Sequence, residues 1–143
     1  MSLFSGQTNA AGKTVASGVT LNSSCYGNVV PLAYGTVRAS GNLIWYGDFT
    51  ATKAGSSGKG GKNGGAAYTY SAYFAFALCE GTIGGVANIW ANGTIYSWSY
   101  CAAHGIGFMS GAQGQAPWGY LASKHPGQDL GYSGTAYVYW QPG

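Results

Sequence analysis

The sequence predicts a mainly β domain, barrel- or sandwich-like, carrying one short helix. Three observations lead there. Over residues 68–78, Tyr68, Tyr70, Ala72, Phe74, Phe76 and Leu78 alternate with Thr69, Ser71, Tyr73, Ala75 and Ala77, the period of a strand rather than a helix. Turn chemistry recurs between apolar runs, with Asn92-Gly93 its strongest instance. Only one segment, "APWGYLASKHP", combines a proline at a first turn with a proline placed to stop a helix.

Residues 1–17 are small and polar and are expected to form a flexible N-terminal arm. A single domain is expected over 18–143, since 143 residues can bury a sizeable core without splitting. Its first pair of strands is read from "NVVPLAYGTVRASGNLIWYGDFTATK". Val29, Val30, Leu32, Tyr34 and Val37 form one apolar run, Leu43 to Phe49 the other, and "ASGN" offers a turn between them. Pro31 confines the first strand to an edge or to its own beginning.

"GSSGKGGKNGG", residues 55–65, holds six glycines, two lysines and no apolar residue. Phosphate chemistry does not fit it. A P-loop frame puts Ser56 where the first Gly belongs and Asn63 where Ser or Thr should reach magnesium. A dinucleotide frame accepts Gly58 and Gly60 but meets Asn63 at its third glycine. Both motifs also need a helix to open at the anion, and an aromatic strand follows instead. Residues 54–65 are therefore expected to be an excursion joining two strands of one sheet. Lys53, Lys59 and Lys62 have two readings there, as charges that keep a flexible loop solvated or as contacts to a neighbouring subunit.

The long strand, "YTYSAYFAFALCE", ends in Cys79 and Glu80. "GTIGGVANIWANGTIYSW" follows as a hairpin about Asn92-Gly93. "GFMSGAQGQ" is read as a second flexible stretch, then comes the helix, and "GYSGTAYVYW" closes as a strand.

Composition narrows the function classes. Charged residues make up 6% of the chain and aromatic residues 15%, with 12 tyrosines and five tryptophans. So few charges give little electrostatic protection against association, which suits a subunit of an assembly. Trp45, Tyr73, Trp90 and Trp98 are the candidate aromatic interface anchors. A net charge of +3 is too small to point to nucleic acid. Cys25, Cys79 and Cys101 are odd in number and widely spaced, so they are read as thiols, with Cys79 the most buried. No Cys/His spacing suits zinc, and no cofactor motif is found. The acids Asp48, Glu80 and Asp129 each have a structural reading at a turn or strand end, and His125 one at a helix terminus. No catalytic residue is assigned and no enzyme is expected. The N-terminus lacks the pattern of a signal peptide, and no apolar run is long enough to span a membrane; a cytoplasmic origin is the expectation.

Three segments taken together carry a resemblance: "VVPLAYGTVRASGNLIWYGDF", "YTYSAYFAFALCEGTIGGVANIWANG" and "QAPWGYLASKHPGQDLGYSGTAYV". In this order they resemble the N-terminal region of the tail hub (tail-tip or baseplate hub) proteins of long-tailed bacteriophages and gene-transfer agents. Thr82 stands where that family usually has Pro, and Asn92 where it usually has Asp; both substitutions keep turn chemistry. Family members are generally several times longer, so the chain is either part of a longer hub or a naturally short one. The resemblance implies a homotrimeric hub that closes the distal end of the tail tube and organises host-recognition parts. It further implies partners among the tube or distal tail protein and the tape-measure protein, a place at the virion tail tip, host cytoplasm during assembly, and no catalysis in this region. The alternative of another class is a stand-alone carbohydrate-binding or adhesion domain.

Overall fold

In the computed structural model, residues 6–8, 14–16, 29–53 and 68–142 are described. The centre is a four-stranded antiparallel sheet in the order β3-β4-β8-β7, built from Asn42–Lys53, Tyr68–Glu80, Thr135–Trp140 and Ile106–Ser110. Two separate two-stranded pieces accompany it. One, β1 (Gly6–Thr8) with β2 (Thr14–Ala16), lies within the expected arm; the other is β5 (Asn88–Ala91) with β6 (Thr94–Ser97). Among the described residues the main sheet is open, so the sandwich-like expectation fits and a closed barrel does not.

β4 shows why the alternation matters. Ala75, Ala77 and Cys79 are buried, and their small side chains let the opposing layer approach closely. That layer is α2 (Gly119–Lys124) with its flanks: Ala75, Trp118, Leu121 and Tyr137 form the core cluster, and Ile44, Trp45, Tyr73, Met109, Tyr120, Tyr132 and Tyr139 pack around it. On the reverse face Phe74 contacts Phe76 and Trp140 at ring distances of 5.1 and 5.2 Å. There α1 (Trp98–Ala103) buries Cys101, and Trp98 meets Phe108 edge-on.

Three expectations need correction. Residues 29–41 do not form a strand paired with β3. The segment is tied instead to the end of β4, where Leu32 bridges Glu80 in parallel and the Glu80 amide donates to the Pro31 carbonyl at 2.9 Å. Pro31 has no N–H to give a ladder, and Gly35 turns the chain at φ +68°. Second, "GFMS" is not a flexible stretch but most of β7, paired with β8 from Ile106↔Trp140 to Ser110↔Ala136. Its Gly107 looks like a chain breaker, yet a Cβ there would lie 2.1 Å from the Tyr139 ring. Third, two short helices are present rather than one. α1 went unread because its aromatic-rich six residues carry no helical period; Ser97 caps it, accepting from the Tyr100 amide.

Other readings hold. The hairpin turns at Asn92 and Gly93 with φ of 51° and 76°, a left-handed pair suited to a two-residue turn. β3 and β4 pair out to Lys53↔Tyr68, so the glycine-rich segment connects neighbouring strands of one sheet. Residues 54–67, which include Lys59 and Lys62, lie outside the described residues, as does Cys25. Cys79 and Cys101 are free thiols, and burial raises the pKa of both.

Candidate functional site

β8 pairs with β4 only from Phe74 to Glu80. Beyond Phe74, β3 and β4 continue, among the described residues, with no third strand beside them, as a two-stranded ribbon ending at Lys53↔Tyr68. Such a ribbon is marginal by itself, so what holds its root matters. The root contains a bulge: register shifts between Gly47↔Tyr73 and Thr50↔Ser71, and Asp48 adopts φ +50°. A bulge adds a residue and bends its strand; Asp tolerates the left-handed region better than most residues.

The Asp48 carboxylate Oδ2 accepts from two side chains contributed by α2 and its C-cap. One donor is the Tyr120 hydroxyl, the other His125 Nε2 at 2.7 Å. These two bonds hold the carboxyl below its usual range, with Tyr120 contributing most. Tyr120 is pushed up in turn, first by burial and then by its bond to Asp48. Aromatic rings enclose the group. Tyr73 stacks on Tyr120 at 4.2 Å with planes 8° apart, and Trp45 lies 5.3 Å from the His125 ring. The indole of Trp45 donates to Gln128 Oε1 at 2.9 Å. In the core behind, burial raises the Tyr137 phenol to about 12, opposed by the Trp118 backbone, although its hydroxyl makes no well-formed hydrogen bond among the described residues.

Of the candidate anchors, the structure brings Trp45 and Tyr73 together, both half-buried against Trp118 and Tyr120. It keeps Trp90 and Trp98 apart from them. Trp90 is exposed on β5 with the Arg38 guanidinium 4.8 Å from its ring centroid, and Trp98 is half-buried against Phe108. Lys53 is the last paired residue of β3. The sequence reading missed the union of Asp48 with Tyr120 and His125, which are 72 and 77 residues away; no local spacing announces such a contact.

Both donors are spent on one carboxylate oxygen, and His125 Nε2 faces that carboxylate rather than a nucleophile. Among the described residues no three His, Cys, Asp or Glu side chains gather as metal ligands, and no helix is long and apolar enough to cross a membrane. The larger surface feature is aromatic. Phe49 and Tyr68 are exposed on the ribbon and Tyr46 at the sheet edge just before it; Phe49 stacks on Tyr70 at 5.5 Å, and Tyr68 lies 6.5 Å from Tyr70. Exposed large apolar side chains grouped this way mark contact surfaces.

Comparison with known proteins adds one likeness. The fold is similar to a chain in a solved structure of the virion of a native gene transfer agent particle. The TM-score is 0.61 and the identity 26%, over 95% of this chain and 26% of that one. The chain thus spans about a quarter of the length of this neighbour. No family model matches, and no curated protein does.

Proposed function

We propose that this chain is a non-enzymatic structural protein of a phage-type virion, acting in the tail-tip hub that closes the distal end of the tail tube. The carrying observation is the likeness to a gene transfer agent virion chain along nearly the whole length, at 26% identity. The three ordered segments that resemble tail hub proteins support the finer placement. So does the aromatic face of the β3–β4 ribbon, which an isolated monomer leaves in water. In this reading three copies assemble, and the chain meets the tube or distal tail protein and the tape-measure protein. Lys53, Lys59 and Lys62 would contact neighbours around the ribbon tip, and Trp90 and Trp98 would anchor a second contact.

The test is co-expression with the tail proteins of the same particle, followed by imaging of assembled tails carrying a labelled chain. Label at the distal end, in three copies, is expected. Label in the capsid or along the whole tube, or a chain absent from purified particles, overturns the placement.

A further inference from the structure

The bulge at Asp48 sits where β3 leaves the four-stranded part of the sheet and runs on with β4 alone. Among the described residues, both polar ties from the bulge side chain go to one element, α2 and its C-cap. We propose that Asp48, Tyr120 and His125 form a latch that fixes the angle of the β3–β4 ribbon relative to the sheet, and that breaking it frees the ribbon without unfolding the domain. This goes beyond the functional reading above and does not depend on it.

Three features support it. The ribbon beyond Phe74 has lost its β8 partner, so the side chains at its root replace strand pairing as its support. Asp48 is held in a left-handed conformation that places its carboxylate toward α2; hydrogen bonds to a charged acceptor are about twice as strong as neutral ones. The stacked pair Tyr73–Tyr120 closes the same joint from β4, so both strands of the ribbon are held by one helix. The core cluster of Ala75, Trp118, Leu121 and Tyr137 lies behind the joint and does not include Asp48 or His125. Of the latch residues Tyr120 packs against that cluster, so latch and core are separable at Asp48 and His125.

Hydrogen exchange on the intact chain, resolved by peptide, tests this. Asp48→Asn keeps the tolerance for positive φ while removing the charge. It should speed exchange in Phe49–Lys53 and Tyr68–Ala72 by about tenfold or more, leaving Ala75–Cys79 and Ala136–Trp140 unchanged. Asp48→Gly keeps the bulge conformation with no side chain and should do the same. Tyr120→Phe keeps the ring stack and should give a smaller increase in the same peptides, and His125→Gln, which retains a donor, should stay near wild type. Unchanged exchange in Asp48→Asn and Asp48→Gly would mean the bulge alone sets the ribbon. An equal acceleration across all peptides would mean a general loss of stability. Either result overturns the latch.

Discussion

Gly111 and Gly114 both hold positive φ, at 83° and 69°, yet they should respond differently to a methyl group. At Gly111 a Cβ would stand 2.4 Å from the Gly81 carbonyl oxygen and 2.7 Å from the Ala136 amide, both backbone atoms that cannot turn aside. At Gly114 it would meet nothing within 4 Å. Gly114→Ala should therefore cost only the left-handed penalty, about 1–2 kcal/mol. Gly111→Ala adds steric displacement between two chain segments and should cost roughly 2–5 kcal/mol. Urea unfolding of the two variants side by side checks the order; equal midpoints would contradict the packing described. Asp48 supplies a pH dependence at the same scale. Its folded pKa is depressed, so its contribution is present above the ordinary carboxylate value, roughly pH 4. That contribution is lost as pH falls through the lower folded value, because the unfolded chain takes up the proton first. Tyr120 acts oppositely: its raised pKa gives a contribution present below roughly pH 10 and lost as pH climbs above it. Melting curves across pH should show Asp48→Asn with a flatter acid limb than wild type, and Tyr120→Phe with a flatter alkaline one.

Elements were legible in the sequence where neighbouring residues alone decide the structure. β4 announces itself because aromatic and small residues alternate along it, and the Asn92-Gly93 turn because only residues tolerant of positive φ fit there. α2 was visible through its two flanking prolines, although Pro117 precedes the N-cap Trp118 rather than standing in the first turn. β7 was hidden because Gly107 is demanded by the Tyr139 ring, a partner 32 positions further on. Residues 29–41 were misread because their apolar side chains suggest a strand, while the fold leaves Val29, Leu32, Tyr34 and Val37 exposed. The candidate site was half legible: Trp45 and Tyr73 stood out by ring size, whereas Asp48 and His125 each had a local explanation that concealed their meeting. Packing between elements gives a further test. Trp118 is 3% exposed and touches the rings of Trp45, Tyr73, Tyr120 and Tyr139. Trp118→Ala should destabilise by about 3–5 kcal/mol, read from the shift of the urea midpoint at constant slope. The connection between β3 and β4 should behave in the opposite way. Because Lys53 and Tyr68 already face each other, deleting Gly58–Gly64 changes mainly closure entropy, about 0.6 kcal/mol per doubling of length. Stability should hold while assembly into tails falls; a deletion that unfolds the domain would place that segment in the core architecture.

At the scale of the whole molecule, strand order departs from chain order at one place. β8 is the last strand along the chain, yet it lies between β4 and β7, pairing with both. The second edge of β4, and β7 as a whole, therefore have no strand to pair with until Thr135–Trp140 has been synthesised. A ribosome adding roughly 5–20 residues per second needs about 3–12 s to travel from the end of β4 to the end of β8. Throughout that interval the nascent chain shows one edge of β4 and the small-residue face of Ala75 and Ala77 with no Tyr137 or Tyr139 beside them. Slowing translation between codons 81 and 134 should then lower the soluble yield of this protein more than the same delay placed before codon 68.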